Sequence, residues 1–141
     1  MSTILIAGLL LALKHFLCDG PFQTPFQYLN KGKLLHPGGL LHAGIHAIGT
    51  FMALIVAGVD PGLVGALAIF DGVMHYTIDF AKTNLTKKEW AERTGVITDL
   101  GGRQIHPAGL LIKSDWYFYA LVLDQSLHFA CYAAILAAVA G

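Results

Sequence analysis

Four long apolar segments constrain the fold of this chain more than any other feature. Each approaches the length of about 20 residues that an α-helix needs to cross a membrane; the segments are residues 3–19, 39–59, 61–81 and 116–140. Of the 141 residues, 55% are hydrophobic and only 13% are charged, whereas soluble domains carry about 25% charged residues. The sequence therefore predicts an all-α, four-helix transmembrane bundle, with residues 1–141 as a single integral membrane domain.

Charge and size indicate which partners to expect. The formal net charge is zero, and the basic residues form no stripe interleaved with aromatic side chains, so nucleic acid is not an expected partner. The lipid bilayer is the expected partner. The small size of the chain also favours assembly into a homo-oligomer or a larger membrane complex.

The positive charges predict the orientation of the bundle. All nine Lys and Arg residues lie in the loops 20–38 and 82–115 or at the helix ends that feed them. Because positively charged loops stay in the cytoplasm, both loops are predicted to be cytoplasmic. The protein is then expected to be a multi-pass protein of the inner or plasma membrane, with its N- and C-termini outside.

Two local motifs predict how the later spans are connected. The turn Asp60-Pro61-Gly62 is short enough to make spans two and three an antiparallel hairpin. The stretch Thr86-Lys87-Lys88-Glu89 matches an N-terminal capping box. It predicts a short cytoplasmic amphipathic helix between spans three and four, which Gly95 would end.

The order of motifs in the first half of the chain recurs in the second. Each half has a His-x-x-x-Asp motif at a helix end, then a His-Pro step in a loop, then two ionisable residues four apart in the next span. The motifs are His15/Asp19, His36-Pro37 and His42/His46, followed by His75/Asp79, His106-Pro107 and Asp124/His128. This order predicts a parallel duplication of a two-helix unit; a chance origin is the alternative, because the His-Pro strings are short.

The paired residues predict a metal centre. Residues four apart lie on one face of a helix, about 6 Å from each other, and ionisable residues inside a membrane are rarely accidental. Neutral imidazoles and carboxylates without cysteine suit divalent zinc, iron or manganese. Eight ligands exceed what one ion uses, so we expect two ions, with zinc the first candidate, near the cytoplasmic face. The expected ligands are His15, Asp19, His42, His46, His75, Asp79, Asp124 and His128.

Further polar residues are expected to support this centre. Asp71, Gln23 and Gln125 are expected to orient the ligands or to add to them. Lys82, one turn beyond Asp79, is expected to help hold a phosphate or carboxylate. The competing interpretation is a metal-free network of Asp–His pairs that serves a proton path.

The ordered motifs also resemble a known family. HxxxD on the first span, HxxxH on the second, HxxxDxxK on the third and DQxxH on the fourth are similar to a domain-of-unknown-function family of small polytopic membrane proteins from bacteria and their phages. The resemblance extends over nearly the whole chain and implies a membrane location. The chain is also loosely similar to membrane-bound metal-dependent hydrolases, which implies a metal site.

Three functions remain open from the sequence. The first is a metal-dependent hydrolase of a lipid-like or phosphorylated substrate reached from the cytoplasm, with a bound water as nucleophile. The second is a non-catalytic, metal-binding structural or accessory subunit of a membrane complex. The third is a di-iron membrane oxidoreductase, which the scarcity of glutamate disfavours.

Overall fold

Five α-helices and one pair of two-residue strands make up the described part of the chain. The computed structural model describes the backbone of residues 2–93, 97–98, 104–105 and 115–141, and the side chains of residues 2–86 and 118–141. The elements are α1 (Thr3–Asp19), α2 (Pro25–Tyr28), α3 (Pro37–Ala57), α4 (Pro61–Arg93), β1 (Ile97–Thr98), β2 (Gln104–Ile105) and α5 (Asp115–Ala140). The two strands pair antiparallel, with Ile97 opposite Ile105.

Local signals in the sequence account for the helix ends. The Thr24 side chain accepts a hydrogen bond from the backbone of Gln27, and the Gln27 side chain bonds back, which forms a capping box at α2. His36 is the N-cap of α3, where its Nδ1 accepts from the Gly38 N–H at 3.0 Å. The left-handed conformation of Gly58 (φ 78°) ends α3. Asp60 then accepts from the Gly62 N–H as α4 begins, so the predicted tight hairpin is confirmed.

The long helices pack into a closed bundle. α3 lies between α1 and α4, and α5 contacts both α4 and α1. An apolar core fills one end of the bundle, around Leu11 of α1, Leu54 of α3, Val64 of α4 and Ile135 of α5, all of which are fully buried. The polar residues occupy the other end, towards the C-terminus of α1.

At the polar end of the bundle, polar side chains are buried in the interior and apolar side chains are exposed on the surface. The largest fully buried side chains include His42, His46 and His75, whereas Phe16 is 71% exposed and Ile69 is 69% exposed. Soluble proteins rarely expose extended apolar surface of this kind, which is typical of contact with lipid or a partner. Three described helices are long and apolar enough to cross a membrane, namely Pro37–Ala57, Pro61–Thr86 and Phe118–Ala140.

The span boundaries from the sequence agree with the helices closely but not everywhere. α1 coincides with the first predicted span, although its 17 residues leave it outside the set of membrane-length helices. α3 begins two residues before the second predicted span, because Pro37 suits a first helical position. α-Helical architecture is thus confirmed; the count of four spans stays a prediction.

The prediction of a separate amphipathic helix that begins at Thr86 is wrong. α4 continues without a break to Arg93, since no proline or glycine follows Gly72 in it. Instead of capping a new helix, the Thr86 hydroxyl donates to the Lys82 carbonyl at 2.9 Å, as threonine commonly does inside a helix. His106-Pro107, on which the predicted duplication partly depends, lies outside the described residues.

Candidate metal centre

Ionisable side chains from four helices meet inside the polar end of the bundle. α1 contributes Asp19, α3 contributes His42 and His46, α4 contributes His75 and Asp79, and α5 contributes His128. All except Asp19 are buried. The spacing of four residues places each pair on one face of its helix, and packing turns those faces towards each other.

One group of four residues has the geometry to hold an ion. One ligand atom from each lies within 4.8 Å of the corresponding atoms of the others, and the group comprises Asp19, His42, His46 and His75. Asp19 Oδ1 is at its centre, 3.1 Å from His42 Nε2, 3.4 Å from His46 Nε2 and 3.8 Å from His75 Nε2. Three imidazoles and one carboxylate form a ligand set that zinc accepts.

A second, smaller group lies beside the first. It consists of His75, Asp79 and His128, whose ligand atoms also lie within 4.8 Å of one another. The His75 and His128 rings are 4.2 Å apart between centroids. Asp79 Oδ2 lies 3.4 Å from His75 Nε2 and 3.2 Å from His42 Nε2, so this carboxylate connects the two groups. His75 belongs to both groups and would need both ring nitrogens to serve two ions at once.

Several ligand atoms in the cluster have no hydrogen-bond partner among the described residues. They are His46 Nε2, His75 Nδ1 and His128 Nε2, and Asp124 Oδ1 next to the cluster also has none. The His46 and His75 rings are also stacked, with centroids 3.4 Å apart. Buried polar atoms are almost always paired, because an unpaired one costs about 1–3 kcal/mol. Three such atoms in one cluster fit a divalent ion that would supply the missing contacts.

Two predicted ligands lie next to the cluster but outside both groups. His15 Nε2 is 3.2 Å from Asp19 Oδ2, while its Nδ1 is 2.9 Å from the Tyr132 hydroxyl. Asp124 Oδ2 accepts from Lys82 Nζ at 3.1 Å. His15 is thus placed to orient Asp19, and Asp124 is placed to hold Lys82.

The expected supporting residues have separate positions. Gln23 Nε2 is 3.2 Å from His42 Nε2, and Gln125 Oε1 is 3.0 Å from His15 Nε2, so both contact candidate ligands. Lys82 contacts Asp124. Asp71 is farther inside the bundle and accepts from Lys14 Nζ at 2.6 Å and from the Thr50 hydroxyl at 2.7 Å.

Two lysines that matter at the site enter the sequence analysis only through the predicted topology. Lys31 is 9% exposed, and its Nζ donates to Asp79 Oδ2 at 2.9 Å. Lys14 is 6% exposed and also lies 3.2 Å from His46 Nδ1. Lys14 does carry one signal in the sequence, because it falls within an apolar helix, where a charge needs a partner. Lys31 lies in a loop without periodicity and gives no such signal.

A pocket of about 340 Å³ adjoins the cluster. The residues that line it include Asp19, Asp79 and Asp124 together with Lys31 and Lys82. The Asp19 side chain is 26% exposed, so the central carboxylate of the first group borders this space. A small molecule in the pocket would therefore contact the cluster directly.

Comparisons with known proteins identify the family of the chain. No curated protein and no solved structure matches it. The model of the family described as "Protein of unknown function (DUF3307)" matches residues 5–140, nearly the whole length, in agreement with the resemblance to an uncharacterised family. The chain belongs to this DUF3307 family.

Proposed function

We propose that this protein is an integral membrane metalloenzyme, a metal-dependent hydrolase of a lipid-like or phosphorylated substrate. The observation that carries the proposal is the convergence of one ligand atom each from Asp19, His42, His46 and His75 within 4.8 Å, inside the polar end of the bundle. A divalent ion held by these residues would act as a Lewis acid and would activate water for attack on an ester or phosphoester.

The membrane part of the proposal is a bundle of four spans. Three helices have the required length and apolar character; α1 is the fourth span, because its exposed face carries Leu5, Leu9, Leu13 and Phe16. With Lys31, Lys33 and Lys82 at the polar end of the bundle, that end faces the cytoplasm in the inner or plasma membrane.

The metal part rests on the donor set. Nitrogen and carboxylate donors without thiolate suit zinc, and they suit iron or manganese as well. The first group would hold one ion. The second group, His75, Asp79 and His128, would hold a second ion close to the first.

Hydrolysis is favoured over a structural role by the pocket beside the cluster. A structural metal site is closed by its ligands, whereas a catalytic one keeps a position open to substrate. The space of about 340 Å³ borders Asp19 and Asp79, one carboxylate from each group. A substrate there reaches the metal centre, and either Asp can accept a proton from the attacking water.

Metal analysis of the protein purified in detergent tests the metal site. We expect stoichiometric zinc, iron or manganese by mass spectrometry, and Asp19→Asn or His46→Ala should remove at least one ion per chain. His36→Ala is the matched control, because His36 caps α3 outside the cluster. Absence of a stoichiometric metal, or full retention in both variants, would refute the site.

An activity assay tests the hydrolase separately. The metal-loaded protein is expected to release phosphate or fatty acid from a panel of lipid phosphomonoesters and esters, and a chelator is expected to stop the release. Stoichiometric metal with no cleavage across the panel would favour the accessory-subunit function instead.

A further inference from the structure

We infer that the substrate is an anionic lipid, whose head group binds in the polar pocket while one of its hydrocarbon chains lies in a neighbouring groove between α4 and α5. This inference rests on the proposed function and names the substrate class of that same site. It depends on two adjoining spaces of opposite character.

The groove is apolar and lies on the outer surface of two membrane helices. It has a volume of about 300 Å³ and is lined by Ile78, Ala81 and Leu85 of α4 and by Leu123 and Leu127 of α5, among others. Leu85 is 66% exposed and Leu123 is 59% exposed. In a bilayer these side chains would contact lipid chains.

The groove and the polar pocket share two walls. Lys82 and Asp124 line both spaces, and their side chains form an ion pair at 3.1 Å. A molecule that follows the groove towards the polar end of the bundle therefore meets this ion pair and then Asp19 and Asp79. A lipid has the matching shape, with an apolar chain joined to a polar head group.

The charges of the pocket favour an anionic head group once metal is bound. Three aspartates, Asp19, Asp79 and Asp124, and two lysines, Lys31 and Lys82, line the pocket. The walls alone therefore carry one net negative charge, and a single divalent ion reverses its sign. Binding of a phosphate head group is thus expected to depend on metal.

The volumes agree with one chain and one head group. Ligand pockets span about 300–1,000 Å³, and the two spaces, about 340 and 300 Å³, each lie near the lower limit. Neither alone accommodates a whole lipid, whereas together they suit a head group and part of a chain.

Lipid binding to the metal-loaded protein in detergent provides the test. The probes are dioleoyl phosphatidic acid, its water-soluble dihexanoyl analogue, dioleoyl phosphatidylcholine and inorganic phosphate. We expect the long-chain phosphatidic acid to bind at least tenfold more tightly than the dihexanoyl analogue and the phosphatidylcholine. Chelation should abolish this preference for phosphatidic acid over phosphatidylcholine.

A matched pair of variants locates the chain. Ala81→Phe fills the groove, whereas Ala134→Phe adds the same bulk at another exposed alanine of a membrane helix, outside the groove. Ala81→Phe should weaken the binding of dioleoyl phosphatidic acid tenfold and leave the binding of inorganic phosphate unchanged. Ala134→Phe should change neither affinity.

The outcomes separate this inference from the proposed function. The lipid assignment alone is overturned if protein that holds stoichiometric metal binds the long-chain and short-chain phosphatidic acids with equal affinity. It is also overturned if Ala81→Phe and Ala134→Phe change the binding of dioleoyl phosphatidic acid equally. Tight binding of inorganic phosphate without any chain-length effect would assign the pocket to a soluble phosphate compound. Absence of metal from the same samples overturns the proposed function and this inference together.

Discussion

Lys14 Nζ lies 2.6 Å from Asp71 Oδ2, and both side chains are more than nine-tenths buried in the middle of the helix bundle. The Thr50 hydroxyl donates to the same carboxylate oxygen at 2.7 Å. Lys14 Nζ also lies 3.2 Å from His46 Nδ1. This charged pair therefore links α1, α3 and α4 directly behind a candidate metal ligand, and it neutralises the lysine that would otherwise face the ion.

The first prediction concerns the stability of this pair. Lys14→Met should lower the free energy of unfolding by about 3 kcal/mol, because it leaves the buried Asp71 carboxylate without its partner. The double variant Lys14→Met/Asp71→Leu should recover most of this loss, since it removes both charges. Thermal or denaturant unfolding in detergent measures both effects.

Lys33→Met is the control for that series, because Lys33 is exposed and should contribute less than about 1 kcal/mol. A double variant no more stable than Lys14→Met would contradict the explanation by an unpaired charge.

The second prediction concerns the number of ions. His128 belongs only to the second ligand group and His46 only to the first. His128→Ala should therefore lower the metal content from two ions per chain to one, and His46→Ala should remove the other ion. Combining both substitutions should leave no metal. If the wild-type protein held a single ion and the His128→Ala variant retained it, the metal centre would consist of the first group alone.

The third prediction concerns glycines in α3. A Cβ atom on Gly38 would lie 2.5 Å from the Phe26 carbonyl oxygen, whereas one on Gly44 would meet nothing within 4 Å. Gly38→Ala should thus destabilise the protein by about 1–3 kcal/mol through overpacking. Gly44→Ala should stabilise it by about 0.5–1 kcal/mol, because alanine favours the helix. If unfolding measurements showed that both substitutions change the free energy of unfolding in the same direction, the packing of α2 on α3 would be contradicted.

The fourth prediction concerns orientation. In a variant without Cys18 and Cys131, a single cysteine at Lys33 should react with a membrane-impermeant maleimide only after the cells are opened. One at Ser2 should react in intact cells, because both termini are predicted to be outside. Labelling in the opposite order would invert the topology, and with it the side from which substrate reaches the site.

Much of the candidate site could be predicted because the geometry of a single helix is local. The spacing of four residues fixes which side chains share a face, and it correctly grouped His42 with His46 and His75 with Asp79. It could not fix the rotation and axial offset of one helix against another. For that reason the spacing alone does not separate Asp124, which pairs with Lys82, from His128, which joins the second ligand group.

The error at Thr86 has a similar origin. A capping-box pattern is a local preference, and the same residues are compatible with a helix interior when the preceding turn is already helical. Because no proline or glycine follows Gly72 in α4, the helix continues through Thr86, whose hydroxyl donates to the Lys82 carbonyl. Lys31 was missed because its contact with Asp79 depends on how the loop before α3 folds over α4.

The shortness of α1 has a consequence for the surrounding bilayer. Its 17 residues extend about 25 Å at 1.5 Å per residue, whereas the hydrocarbon core is about 30 Å thick. As the proposed fourth span, α1 would therefore require the lipids beside it to compress, while those beside the longer α4 need not. This hydrophobic mismatch would fall on one flank only, so the protein should be better accommodated in thin membranes than in thick ones.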